Sequence, residues 1–192
     1  MPNHCFNQLV IQSIAEDILD IMEFLEGGGS MIDFNKLVPM PEELNDVQYM
    51  SAGEDTYYYS VAKWQSSAEC NLDKKPFDFP LLEWVKAHGL DSFTIKRFER
   101  QYGTAKWYDW CVKNWGTKWN AYDVEYKLKA VDELHNEITY KFMTAWMEPR
   151  PIMKALMNYL AQPGFDQDLE MRWRFVDEDD NFNGEVHHDD EI

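Results

Sequence analysis

Residues 124–146 read VEYKLKAVDELHNEITYKFMTAW, and this stretch decides the fold. Val124, Tyr126, Leu128 and Ala130 occupy alternate positions, as do Ile138, Tyr140, Phe142, Thr144 and Trp146. Side chains alternate across a strand, so each run places one set of residues on a single face of a sheet. A turn near Glu133 to Asn136 separates the two runs, which predicts an antiparallel hairpin.

Outward from the hairpin the same reasoning extends to both ends of the chain. Cys5, Asn7, Leu9 and Ile11 alternate with Phe6, Gln8, Val10 and Gln12, a first strand. Ser13-Ile14-Ala15-Glu16 has the form of a capping box, in which the Ser hydroxyl and the Glu carboxylate each satisfy an orphan N–H at a helix start. The helix it predicts carries Ile14, Ile18, Ile21, Met22 and Leu25 inward and stops at Gly27-Gly28-Gly29. Met31 to Val38 reads as a second strand, halted by Pro39-Met40-Pro41.

Beyond the hairpin, Pro149-Arg150-Pro151 opens a helix with Ile152, Leu156, Tyr159 and Leu160 inward, closed near Pro163-Gly164. Leu169, Met171, Trp173 and Phe175 make another strand, and residues 185–188 a short edge strand. From 45 to 119 the period is helical: Phe77, Leu81, Trp84 and Val85; Ile95, Phe98 and Tyr102; Trp107, Trp110 and Cys111. Gly89, Gly103 and Gly116 divide this insertion.

The expected fold is therefore α+β: a ferredoxin-like split βαβ antiparallel sheet with a helical insertion, 45–119, between strand two and the central hairpin. It forms a single domain over 1–192, in which 177–192 is an acidic C-terminal tail or edge strand.

A chain of 192 residues, 45% of them hydrophobic, can bury a core without disulfides or metal. No apolar run approaches the roughly 20 residues a membrane helix needs. Met1-Pro2-Asn3-His4 has neither the basic nor the apolar region of a secretory signal, so the expected location is the cytoplasm. Cys5, Cys70 and Cys111 are widely spaced and odd in number, which suits buried free thiols.

The net charge of −17 is unevenly distributed. Residues 1–60 hold eleven acids against Lys36 alone, and residues 163–192 hold eleven against Arg172 and Arg174. The middle of the chain is left slightly basic. Such a field repels nucleic-acid phosphates and attracts basic protein surfaces. On the first helix Glu16, Asp17, Asp20, Glu23 and Glu26 share the polar side with no cation among them, and like charges at this spacing cost a few tenths of a kcal/mol each.

Three segments carry a family resemblance. Residues 34–44 read FNKLVPMPEEL, residues 114–123 NWGTKWNAYD, and residues 142–146 FMTAW, followed by Pro149. With the opening Met1 to Asn7, they resemble the YubB-like proteins of phages and plasmids. The resemblance implies a ferredoxin-like domain acting inside a bacterial host cell, and no functional residues. The aromatic-rich insertion and the acidic tail depart from it.

Candidate sites follow from these features. The leading one is a partner-binding set of carboxylates: Glu16, Asp17, Asp20, Glu23 and Glu26 on the helix, and Asp177, Glu178, Asp179 and Asp180 in the tail. The partner expected is a host protein with a basic, nucleic-acid-binding surface, such as a CRISPR effector or restriction enzyme. The chain would then act as a DNA-mimic-like, anti-CRISPR or anti-restriction inhibitor.

The alternative is a single-stranded nucleic-acid module using Lys127, Lys129, Lys141, Arg172 and Arg174 on the polar side of the strands, with Lys106, Trp107, Tyr108, Trp110, Lys113, Lys118 and Trp119 from the insertion. Residues 179–190 run through a calcium-loop pattern, yet the last ligand is Asp and the flank alternates like a strand, so a solvated acidic turn is expected. His4, His88, His135, His187 and His188 lack ligand spacing. Catalytic and phosphate-binding signatures are missing, so neither enzyme activity, metal nor cofactor is expected.

Overall fold

A computed structural model describes residues 3–52, 54–67, 79–179, 182–188 and 190. In chain order the elements are β1 (His4–Ile14), α1 (Ala15–Leu25), α2 (Phe34–Leu37), α3 (Glu42–Asn45), β2 (Val47–Ala52), β3 (Asp55–Ser60), α4 (Val61–Gln65), α5 (Phe79–His88), α6 (Ser92–Tyr102) and α7 (Trp107–Trp115). There follow β4 (Tyr122–Ala130), β5 (His135–Ala145), α8 (Arg150–Leu160), β6 (Glu170–Asp177) and β7 (Asn183–His187). The chain is an α+β protein that divides into two compact units, residues 1–39 with 111–192, and residues 40–110.

The first unit holds a five-stranded sheet in the order β4-β5-β1-β6-β7, with every neighbouring pair antiparallel. Period-two alternation makes one face of this sheet apolar. Leu9 and Ile11 on β1, Ile138, Tyr140 and Phe142 on β5, and Met171 and Trp173 on β6 are all buried. α1 lies against β1 and β5 with Ile18, Ile21 and Leu25 turned inward. α8 buries Ile152, Met153, Leu156 and Leu160, and its Tyr159 ring stacks on Phe24 of α1 at 3.9 Å. Each fully buried large apolar side chain contributes about 1.5–3 kcal/mol, so these residues together supply the main driving force of the unit. A buried polar thread crosses the same face: Trp173 Nε1–H donates to Asn7 Oδ1 at 3.1 Å, and Asn7 Nδ2 donates to Thr144 Oγ1 at 3.0 Å.

The second unit contains a two-stranded sheet, β2 with β3, alongside its helices. Leu81, Trp84 and Val85 of α5 are buried together, with Tyr57, Tyr59 and Trp64 against them. Arg97 of α6 makes a two-pronged bond to the Glu43 carboxylate at 2.8 and 3.1 Å, and the Tyr102 hydroxyl donates to it at 2.7 Å. The Arg97 hydrogen bonds first, and Tyr102 second, hold Glu43 below the usual carboxylate range.

Three expectations are corrected. Residues 31–38 form no strand; the Asp33 carboxylate accepts from Asn35 N at 2.9 Å and caps the short α2. The capping box does not form either, because Ser13 remains in β1 and the helix begins one residue after Ile14, its extended N-cap. The insertion is not wholly helical: the run Thr56 to Tyr59, rich in strand-favouring aromatics, pairs as β3. Phe77 and Cys70 lie outside the described residues.

Candidate binding surface

Residues 33–38, 115–120 and 142–145 meet in space. Phe34 packs edge-to-face on Trp115 at 5.9 Å and on Phe142 at 6.3 Å. Asn120 links the segments through its amide: Oδ1 accepts from Phe34 N at 2.8 Å and Nδ2 donates to Asp33 Oδ1 at 2.7 Å. Trp115 Nε1–H donates to Val38 O at 2.8 Å. Thr117 Oγ1 both donates to Ala145 O at 2.8 Å and accepts from Ala145 N at 3.1 Å. Gly116 sits at φ +81, and a Cβ there would meet Pro151 Cδ at 2.8 Å and two backbone atoms at 3.2 Å. These residues tie a loop, a helix end and the central hairpin together, so their inward side is architecture.

Their outward side is a surface. The Lys118 ammonium lies over the Trp119 ring at 4.8 Å and the Trp146 ring at 5.4 Å. Trp119 is 39% exposed and Trp146 37%. Trp146 has φ +74, which strains a bulky residue and is tolerated only where neighbours enforce it. Its amide donates to Asn3 O at 2.9 Å, and Met147 O accepts from Thr144 Oγ1 at 2.8 Å. The signal for Trp146 was present in the sequence as the end of the hairpin pattern, but alternation alone placed it on the wrong side, since the chain leaves the strand at Ala145.

The sheet face opposite the core is open. Strand register aligns Lys127, Thr139, Val10, Arg172 and His187 across it in one row, and Glu125, Lys141, Gln8, Arg174 and Glu185 in the next. Lys127, Lys129, Lys141, Arg172 and Arg174 therefore share one face, and all five are exposed. Glutamates interleave with them. Lys129 pairs with Glu137 at 3.2 Å, and Arg174 with Glu185 at 2.7 Å. The Arg174 hydrogen bond is the first cause holding Glu185 below its ordinary range. A trough of about 730 Å³ runs past Phe6, Met143 and Val176, with Asp123 and Glu125 at one side and Arg174 and Glu185 at the other. Phe6, 42% exposed, is the aromatic ring that β1 presents on this face.

The carboxylates chosen from the sequence separate into three groups. Glu16, Asp20 and Glu23 form an exposed ridge at i, i+4 and i+7 on α1, with Glu26 exposed at its C-cap. Among the described residues no cation lies within ion-pair distance of these four. Asp17 does not belong to the ridge: it is buried, and its carboxylate accepts from Ser13 Oγ at 2.6 Å and Asp166 N at 2.8 Å. Asp177 is likewise buried, at the end of β6 opposite Cys5. Glu178 accepts from His4 N at 2.9 Å and Asp179 from Asn3 Nδ2 at 3.3 Å, so both tether the N-terminal segment. Asp180 lies outside the described residues. The α1 start follows Ile14 and Asp177 faces Cys5, so the first turn of α1 and Asp177 stand at opposite ends of β1, roughly 30 Å apart at ~3.3 Å per residue.

Of the insertion's basic and aromatic residues, Trp110 is buried and Lys106 Nζ lies over the Tyr49 ring at 5.0 Å. Residues 183–187 are an extended strand paired with β6, which is not the path of a calcium loop. Cys5 and Cys111 are buried thiols in no disulfide, and burial pushes them up to about 11 and about 12, far from thiolate chemistry at neutral pH. Among the described residues no group of three or more His, Cys, Asp or Glu is arranged to hold a metal ion, and no helix is long and apolar enough to cross a membrane. The chain matches no family model, no curated protein and no solved structure.

Proposed function

We propose that the chain is a non-enzymatic binding protein that uses the acidic ridge of α1 to capture a basic surface on a partner. The observation that carries this reading is the alignment of Glu16, Asp20 and Glu23 on one exposed stripe with no neutralising cation among the described residues. Such a stripe costs helix stability and returns nothing to the fold. A net charge of −17 would steer a basic partner toward it.

The partner class we favour is a host protein that binds nucleic acid, with the chain acting as an anti-CRISPR or anti-restriction inhibitor in a bacterial cytoplasm. The resemblance to phage and plasmid proteins supports that setting. In the same reading β1, α1, β4, β5, α8 and β6 correspond to a ferredoxin-like unit, with the order β4-β5-β1-β6 as its sheet and β7 added at the edge.

The experiment is affinity capture from a bacterial lysate with the native chain and with a Glu16→Lys, Asp20→Lys, Glu23→Lys variant. Native-only capture of a nucleic-acid-binding protein supports the proposal; equal capture by both sinks it.

A second reading has one observation in its favour: the five cations gathered on the open sheet face. Single-stranded nucleic acid could track them with Phe6 as a stacking platform. Interleaved Glu125, Glu137, Glu170 and Glu185 oppose it. Fluorescence anisotropy with single-stranded DNA and RNA at low salt separates the two readings, since tight binding there would favour the sheet face.

A further inference from the structure

Among the described residues β4 is an edge strand that pairs with β5 alone. Glu125 through Ala130 are exposed along its whole regular length. Its core-side residues are uncovered as well: Tyr126 is 51% exposed and Leu128 44%, and the apolar strip continues through Val131 and Leu134. A long edge with unpaired backbone groups and exposed apolar side chains is a template for another strand. Proteins usually blunt such edges with prolines, inward charges or covering loops, and β4 carries no proline.

The order of charges along β4 identifies what pairs with it. Asp123 and Glu125 precede Tyr126, and Lys127 and Lys129 follow it, all four on the open face. We propose that two copies of the chain join edge to edge through β4, antiparallel about a two-fold axis at Tyr126, making one continuous sheet from two five-stranded ones. In that register Glu125 stands opposite the partner's Lys127, while Asp123, at φ +50 in the bulge, falls outside the regular pairing. By symmetry the pair occurs twice. On the other face the two Tyr126 rings meet each other.

Other registers that keep the two sheet faces continuous match less well. An axis at Lys127 keeps Glu125 opposite the partner's Lys129 but sets lysine against lysine, and one at Glu125 sets glutamate against glutamate. Directly opposed like charges destabilise a strand pair, so the charge order selects Tyr126 as centre. Among the described residues Lys127 has no ion-pair partner within its own chain, whereas Lys129 shares Glu137. The bulge between Tyr122 and Glu125 leaves the Glu125–Lys127 pairs in the regular part of the strand. The charge of −17 on each copy opposes association at long range and is screened beyond ~8 Å at physiological salt. This pairing is independent of the α1 ridge, and either can hold without the other.

The test is the mass of the purified native chain by sedimentation equilibrium at physiological salt over a wide concentration range, compared with two variants. The native chain is expected to dimerise. Lys127→Glu is expected to weaken the dimer by roughly tenfold or more, since two attractive pairs become repulsive. Combining Glu125→Lys with Lys127→Glu restores opposite charges in the Tyr126 register alone, so it is expected to recover the native dimer. Circular dichroism confirms that each variant is folded; should Lys127→Glu fail to fold, concentration-dependent protection of the β4 amides in hydrogen exchange of the native chain decides. A native chain that stays monomeric up to millimolar concentration overturns the proposal. So does a dimer indifferent to Lys127→Glu, one not recovered by the exchange, or β4 amides unprotected as concentration rises.

Discussion

The Ser13 hydroxyl donates to the Asp17 carboxylate at 2.6 Å, inside the protein, and the same carboxylate accepts the Asp166 amide at 2.8 Å. One acidic side chain thus fastens the end of β1, the first turn of α1 and the loop after α8. Asp17→Asn keeps the size but weakens the acceptor, and Asp17→Ala leaves the Ser13 hydroxyl and a backbone N–H without it. Losing a buried partner costs about 1–3 kcal/mol. Urea denaturation should show Asp17→Ala destabilised by that amount, with partner capture by the folded fraction unchanged. Selective loss of capture with stability intact would return Asp17 to the binding surface.

The exposed ridge should behave in the opposite sense. Asp20 and Glu23 are three residues apart with no cation between them, and Glu23 lies in the last turn, where the helix dipole disfavours an acid. Asp20→Asn with Glu23→Gln is expected to raise stability by ~0.2–1 kcal/mol while reducing capture of a basic partner. Thermal melts paired with capture assays check both halves, and a stabilised variant with full capture would contradict the role assigned to α1.

Thr117 closes a reciprocal pair of bonds with the backbone of Ala145. Thr117→Val is nearly isosteric yet strands a buried N–H and C=O, so a loss of about 1–3 kcal/mol is expected. Thr117→Ser keeps the hydroxyl and should retain most of the native stability. Equal destabilisation by the two substitutions would show that the methyl, not the hydroxyl, matters.

At the β4–β5 turn Asp132 accepts from Leu134 N and His135 N at 2.8 Å each and pairs with the His135 ring at 3.0 Å. The bonds from Leu134 N, then His135 N, hold the Asp132 carboxyl down at about 2, and the bond its own ring donates to Asp132 raises His135 above its usual value. The carboxylate's contribution is present above its unfolded value near ~4 and is lost as pH falls toward about 2. The imidazole's contribution is complete below ~6.5 and is lost as pH rises through its raised folded value. Titration of the His135 ring by NMR is expected to give a midpoint above the ordinary value, falling back in Asp132→Asn. A midpoint indifferent to that substitution would show that the more distant Asp166 and Asp168 set it.

Much of this architecture was readable in the chain before any coordinates. The alternation of Ile138, Tyr140 and Phe142 on β5, of Met171, Trp173 and Phe175 on β6, and the 3.6-residue spacing of Ile18, Ile21 and Leu25 are local periodicities, and burial of one face follows from them directly. The gathering of Lys127, Lys129, Lys141, Arg172 and Arg174 on the open face follows from the same rule once the strands pair. Phe34 to Val38 looked extended because its residues suit a strand, but Asp33 and Asn120, 87 positions apart, satisfy the backbone of a short helix there instead. Asp17 and Asp20 are alike in sequence, and only the position of the loop bearing Asp166 decides that the first is buried and the second is not. Periodicity assigns a residue to a face, whereas separation and burial depend on which distant segments the fold brings against it.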